Sequence, residues 1–354
     1  MDGNILIVGG YGNVGRRISS TLGERFPGRV LAAGRNYAKA RELAISTGMK
    51  VRPLQMDVLT FQEGTRLPED VRLVVMCLDL PDATFVGKCL QQGVHYVDIS
   101  ANYSLLSQIE LLDPVAKQHN ATAVLSVGLA PGLTNLLASH CKLKLDELKR
   151  ADIFILLGLG EAHGEAALRW TIENFNSAFT VFENGVVKQV ASFHEAKRTV
   201  FPEGVGERTA YRFNFSEQHV LPGTLRIPSA STWFCFDSSL TTHLFAFFEK
   251  TGLLNLLRFG PVRESLVKVF RTLQFGSDMF VMKVDAQGTA NGREAFYECS
   301  ASGYGEGSGT ALIASEVARS LFSRSFTPGV FHIEQLFDPA EIFSKLKGSL
   351  VFSL

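Results

Sequence analysis

Across residues 1–130, short apolar runs alternate with stretches whose apolar residues recur every three or four positions. The first kind predicts strands over 5–8, 29–34, 50–56, 73–77, 95–98 and 122–126, and the second helices over 13–24, 37–46, 82–92 and 104–119. The opening run, Ile5-Leu6-Ile7-Val8, is continuously apolar, the composition of a strand buried on both faces. Strands alternating with helices imply right-handed βαβ units and a parallel sheet, whose ligands bind beyond the carboxyl ends of the strands. That rule gathers Asp57, Val58, Cys77, Leu78, Asp98, Ser100, Gly128, Pro131 and Gly132 onto one rim.

From about residue 148 the rhythm changes. Strands are expected over 151–157, 186–190, 209–215 and 232–237, and helices over 165–181, 241–257 and 262–273. Two alternating strands, 280–286 and 294–302, flank a turn-rich segment over 287–292, a hairpin signal. This part reads as an α+β domain with a mostly antiparallel sheet. After a glycine-rich crossing over 303–309, an apolar-faced helix over 311–322 signals a return to the first pattern. The expected fold is therefore α/β: a Rossmann-type doubly wound parallel sheet with an inserted α+β domain. Its expected parts are 1–132 (dinucleotide-binding), 133–304 (inserted, for substrate and dimerisation) and 305–354 (return).

The chemistry begins where the first strand ends, at Gly10-Tyr11-Gly12-Asn13-Val14-Gly15. In a strand–loop–helix, Gly-x-Gly-x-x-Gly supplies a tight turn, an approach for a pyrophosphate to the backbone, and close packing of helix on strand. The helix N-terminus then presents free N–H groups and a positive dipole end to the phosphates. The second strand ends at Gly34-Arg35-Asn36, where NAD sites place an acid against the ribose 2′-OH. A guanidinium there suits a 2′-phosphate instead, so NADP is the expected cofactor, with NAD possible.

Composition narrows the field. Lys+Arg and Asp+Glu are 35 each, which argues against nucleic acid or an anionic membrane as the main partner. The five cysteines are scattered, without the spacing of a zinc site or a disulfide framework, so no metal is expected. No apolar run reaches the roughly 20 residues of a membrane span, and the first strand leaves no room for a signal peptide. A cytoplasmic protein is the expectation. No Tyr-x-x-x-Lys pair and no Gly-x-x-x-x-Gly-Lys loop occur, which sets aside short-chain dehydrogenase and P-loop chemistry.

Three stretches together, the glycine fingerprint, Tyr96-Val97-Asp98-Ile99-Ser100 and Gly128-Leu129-Ala130-Pro131-Gly132-Leu133-Thr134-Asn135, resemble the saccharopine dehydrogenase-like family. Its members include saccharopine reductases, lysine 6-dehydrogenases and carboxynorspermidine dehydrogenases. The tail Thr327-Pro328-Gly329-Val330…Leu336-Phe337-Asp338-Pro339 is similar to the family's closing segment. The resemblance implies a pyridine-nucleotide oxidoreductase acting on a C–N bond of an amino acid-type substrate, often as a homodimer. Lysine dehydrogenases tend to carry an acid two residues before the glycine of Gly-x-x-Pro-Gly; here that position is Ser126.

For the site, Pro131 and Gly132 are expected to line the nicotinamide or a substrate carboxylate, with Asn135 beside them. Asp98 is a candidate for a substrate ammonium or iminium, or else a cap for the following loop. His163, in a glycine-flanked loop, is the acid–base candidate, since imidazole titrates near neutrality, or else a helix-start residue with no chemical role. Arg169 and Trp170 follow as carboxylate binder and wall, or as an ordinary surface cation and core aromatic. The alternatives are a lysine-type amino acid dehydrogenase and a non-catalytic NADP(H)-binding sensor.

Overall fold

The computed structural model describes residues 3–60, 66–68, 70–160, 164–202, 204–272 and 276–354. The chain divides into two units, Met1–Gly128 with Thr310–Phe337, and Leu129–Gly309 with Asp338–Leu354.

The first unit holds a parallel sheet. Its strands are β1 (Asn4–Val8), β2 (Val30–Gly34), β3 (Val51–Gln55), β4 (Val71–Met76), β5 (His95–Asp98), β6 (Thr122–Leu125) and the returning strand Gly329–His332. Across the sheet the order is the returning strand, β6, β5, β4, β1, β2, β3. Ile5, Leu6 and Ile7 are fully buried, as their unbroken apolar run demands. Because β1 pairs with both β4 and β2, the strand order reverses at its carboxyl end. That is where doubly wound sheets bind ligands. Pro53 is tolerated in β3 because that strand lies at the sheet edge.

Helices α1 (Asn13–Arg25), α2 (Tyr37–Ser46), α3 (Thr84–Gln91), α4 (Tyr103–Glu110) and α5 (Asp113–Gln118) make the crossovers. The single helix expected over 104–119 is two. Pro114 lacks an N–H and its ring would strike the Glu110 carbonyl, so it is accommodated only in the first turn of a new helix.

In the second unit, α6 (Thr134–Leu143) precedes β7 (Glu147–Leu157) and α7 (Glu165–Asn174). There follow β8 (Ala178–Glu183), β9 (Val186–Ala191), β10 (Ala196–Phe201), β11 (Gly206–Arg212), α8 (Glu217–Thr224) and β12 (Ser229–Phe236). Then come α9 (Ser239–Lys250), α10 (Gly260–Thr272), β13 (Met279–Ala290), β14 (Arg293–Tyr304) and α11 (Glu306–Ser323), in which the boundary between the units falls. The sheet order is β10, β11, β12, β7, β13, β14 and the closing strand Val351–Ser353. Only the β12–β7 pair is parallel, so the sheet is mostly antiparallel.

Three local expectations change here. The helix expected to reach residue 181 ends at Asn174, and β8 forms a hairpin with β9 around Asn184-Gly185. The β13–β14 strands run to the tip at Asn291-Gly292, whose φ values of 52° and 73° give a tight two-residue turn. The closing residues from Asp338 join the second unit, because Val351–Ser353 pairs with β14.

Polar burial in this unit is matched by partners. Asp152, fully buried, accepts from Arg150 (2.8 Å), Lys197 (2.6 Å) and Trp233 Nε1 (2.9 Å). Burial raises its pKa, but the Arg150 and Lys197 hydrogen bonds bring the carboxyl below its usual range. Among the described residues no helix is long and apolar enough to cross a membrane, and no group of three or more His, Cys, Asp or Glu is placed to hold a metal ion.

Candidate dinucleotide site

The turn between β1 and α1 is built from contacts that only glycine permits. Gly9, not Gly10, takes the left-handed conformation (φ +76°). Gly10 instead lies against β2, where a Cβ would stand 2.8 Å from the Ala32 Cα and the Ile7 carbonyl oxygen. At Gly15 a Cβ would meet the Gly9 carbonyl oxygen at 2.2 Å, so this glycine lets α1 close onto the loop. Gly12 is different: it is exposed, and its Cβ would touch only the Gly9 oxygen, at 3.1 Å. It caps α1 without a side chain, leaving the start of the helix open to a ligand. The first turn of a helix has no internal carbonyls for its amides. Together with the dipole, this makes the end of α1 a fitting seat for a diphosphate.

Next to it, a pocket of about 570 Å³ is lined by Tyr11, Arg35, Asn36, Tyr37, Lys39 and Gln55. The Tyr11 ring lies on Gly34, where any Cβ would fall 2.5 Å from the ring edge. Its hydroxyl accepts from the Asn36 amide (2.9 Å), while the Gln55 side chain donates to the Arg35 carbonyl (3.2 Å). The Arg35–Asn36 backbone is thus held from both sides. The Asn36 side chain caps α2 by accepting from the Lys39 amide (3.2 Å). This places Lys39 in the first turn, on the pocket with Arg35. Among the described residues neither cation has a carboxylate partner, and no acid lines the pocket. Lys39, Tyr37 and Gln55 were not singled out from the sequence. The signal for Lys39 was its place three residues after a cap.

The remaining rim residues sit at the carboxyl ends of the strands. Asp57 accepts from the Leu59 amide (3.0 Å), and Val58 is core. The Cys77 amide bonds the Val8 carbonyl (3.0 Å), and burial pushes the thiol well above its usual range. Leu78 is exposed and packs beside Gly9. Gly128 closes the first unit's opening segment.

Asp98 is fully buried and both of its oxygens are engaged. One accepts from the Tyr96 hydroxyl (2.6 Å), the other from the Ser100 amide (2.7 Å), and Ser100 in turn faces Asp79 (3.4 Å). Burial pushes its pKa up to about 6, against the pull of those two donors. In the unfolded chain the group ionises near pH 4. The folded state therefore holds an extra proton between about pH 4 and 6, and stability falls as pH rises through that window, by about 3 kcal/mol. His219, half-buried and held neutral down to about pH 4 by desolvation, slopes the opposite way. The readout is accordingly a difference: the melting curve of Asp98→Asn minus wild type, followed from pH 4 to 6.5, should rise with pH. A flat difference would mean that Asp98 ionises like a surface acid.

The second unit carries the other candidates. Leu129 to Leu133 form an irregular turn with a cis Ala130–Pro131 bond and Gly132 at φ +136°. The Asn135 side chain accepts from the Gly132 amide (3.0 Å), so its observed work is to hold that turn. Arg169 is bound by both oxygens of Glu264, and Trp170 packs edge-on against Phe213. His163 lies outside the described residues.

Comparison with known proteins agrees with this geometry. Residues 5–124 match the family described as saccharopine dehydrogenase NADP binding domain. Among solved structures, apo saccharopine dehydrogenase (L-Glu forming) from Saccharomyces cerevisiae superposes with a TM-score of 0.71. It is 15% identical, over 99% of this chain and 100% of that one. A C. glutamicum DAP dehydrogenase in complex with DAP gives a TM-score of 0.46 at 13% identity, over 98% and 99%. A comparison with curated proteins found no match. The sequence match is confined to the first unit, which is similar to a saccharopine dehydrogenase NADP binding domain, and the 0.71 superposition shows a fold shared over the whole chain.

Proposed function

We propose, from the match of residues 5–124 and the shared fold, that the chain is an NADP(H)-preferring oxidoreductase acting on the C–N bond of an amino acid-type substrate. The observation that carries the preference is the acid-free pocket at the end of β2, with Arg35 and Lys39 converging on it. A 2′-phosphate there would make charge-assisted bonds with both, whereas a bare ribose 2′-OH would find no carboxylate to accept its proton. The first-turn amides of α1 would hold the diphosphate, with Gly12 clearing its approach.

When bound, the nicotinamide supplies or accepts the hydride. The chain's own part is positioning and proton management. Asp98 is held by Tyr96 and Ser100 at the rim and suits a fixed charge near a cationic nitrogen. His163 remains the proposed acid–base group, by residue type.

The test is a turnover assay. Protein and NADPH are incubated with pairs of a 2-keto acid and an amine, and with free imines, while the reduced-nicotinamide absorbance is followed. Oxidation with at least one pair, faster with NADPH than NADH, is the expected result. Tight NADPH binding with no turnover on any pair would overturn the enzyme reading in favour of a nucleotide sensor.

A further inference from the structure

A second polar constellation lies in the first unit, away from the glycine loop. Ser126 follows β6 directly, is fully buried, and has φ +56°. A side chain in this left-handed region crowds its own backbone, and serine has no special tolerance for it. Its hydroxyl lies 2.7 Å from His332 Nδ1, across 206 residues of sequence. His332 ends the strand beside β6, is itself buried, and places Nε2 2.9 Å from a carboxylate oxygen of Glu110, which is 41% exposed. A carboxylate only accepts, so Nε2 carries the ring proton and Nδ1 is the acceptor. The Gln335 backbone amide also donates to the ring, in agreement with that tautomer, so it shares the single Nδ1 lone pair with the Ser126 hydroxyl. The Ser126 hydroxyl therefore donates to His332.

On the other side of the same corner, the Val127 amide donates to the Asp98 carbonyl (3.1 Å) at the end of β5. Since β6 lies between β5 and the returning strand, the exit of β6 is fastened to both neighbours. The fastenings meet where the chain leaves the parallel sheet at its ligand-facing rim, two residues before Gly128.

We propose that Ser126 is a positioning residue for the dinucleotide site. Its hydroxyl, held through His332 by Glu110, fixes a left-handed corner that sets the path of Val127 and Gly128 along the rim. The segment 310–337 thereby helps to shape a site whose recognisable motif lies 300 residues earlier. This rests on the reading that the cofactor occupies that rim.

The corner itself is read without cofactor, by hydrogen exchange of the Val127 amide in the full chain. Ser126→Ala keeps the crowded backbone but loses the anchor, and exchange there should quicken about tenfold, with NADPH affinity falling by a similar factor. Ser126→Gly, which adopts φ +56° without steric cost, should bring both to within about threefold of wild type. His332→Gln should resemble Ser126→Ala, and Glu110→Gln should show a smaller change in the same direction. The proposal is overturned if Ala and Gly at position 126 behave alike, whether both normal or both impaired. If wild type itself fails to bind NADPH, the reading of the rim as a cofactor site fails. The exchange measurement still decides whether the hydroxyl sets the corner.

Discussion

Exchanging Arg35 for alanine should lower the affinity for NADPH about tenfold or more while leaving NADH within about twofold. The guanidinium lies on a pocket with Lys39 and no acid, and its backbone is fixed by Tyr11 and Gln55. A hydrogen bond to a charged group contributes about 1.5–3 kcal/mol, which is roughly 10- to 150-fold. Arg35 is exposed, and solvent screening moves the expectation toward the lower end. Lys39→Ala should reduce NADPH affinity by a further few-fold, since an ammonium acts as a point charge rather than a fork. Arg35→Asp should go further and reverse the preference, by repelling the 2′-phosphate while offering a 2′-OH its acceptor. Titration calorimetry with both cofactors at two salt concentrations separates the outcomes. The NADPH advantage should shrink with salt, and it should vanish in the Arg35→Ala, Lys39→Ala pair. An unchanged NADPH-to-NADH ratio in Arg35→Ala would remove this pocket from cofactor recognition.

How much of this was legible in the chain depends on the distance over which each feature is encoded. The β1–α1 turn could be read because its determinants are contiguous: an apolar run, glycines at fixed offsets and a helix. Even there the assignment within the loop shifted, since the left-handed residue is Gly9 and Gly10 is reserved for contact with Ala32. Spacing says that glycine is needed, and only packing says why. The hairpin after α7 was also written locally: Phe179, Val181 and Val190 are buried where alternating neighbours are exposed, and Asn184-Gly185 is a tight-turn pair. A helix was expected there because Phe175 and Phe179 also fit a helical spacing. The edge strand β10, Ala196-Lys197-Arg198-Thr199-Val200-Phe201, was invisible because its buried members, Thr199 and Phe201, are too few to make a pattern. Other features are long-range by nature. The pairing of Val351–Ser353 with β14 and the bond between Ser126 and His332 join segments that carry no local mark of each other. In the pocket, Arg35 stood out through a missing acid, whereas Lys39 needed the cap geometry of α2 to bring it into view.

Alanine at Gly12 and alanine at Gly15 should separate recognition from folding. A Cβ on Gly15 would sit 2.2 Å from the Gly9 carbonyl oxygen, 2.9 Å from its carbon and 3.1 Å from the Gly10 Cα. All three neighbours are backbone, so no side-chain rotation relieves the overlap, and the loop must move away from α1. Overpacking of this kind costs about 3 kcal/mol or more, which for a domain of this size lowers the melting temperature by roughly 6–12 °C. Gly15→Ala should therefore lose both stability and dinucleotide binding. At Gly12 the added carbon meets only the Gly9 oxygen, at 3.1 Å, on an exposed face. The fold should tolerate it at a cost within about 1 kcal/mol, the ordinary difference between glycine and alanine at a helix cap. That same carbon, however, occupies the space through which a diphosphate reaches the first-turn amides of α1. Gly12→Ala should then melt within a few degrees of wild type yet bind NADPH at least a hundredfold more weakly, by calorimetry on the same samples. The two variants differ by one methyl placed three residues apart, so a binding loss at Gly12 without a melting change isolates the phosphate seat from the scaffold. If Gly12→Ala binds NADPH like wild type, the diphosphate does not approach along this face. If Gly15→Ala melts like wild type, the contact between α1 and the Gly9 carbonyl is not what fixes the loop.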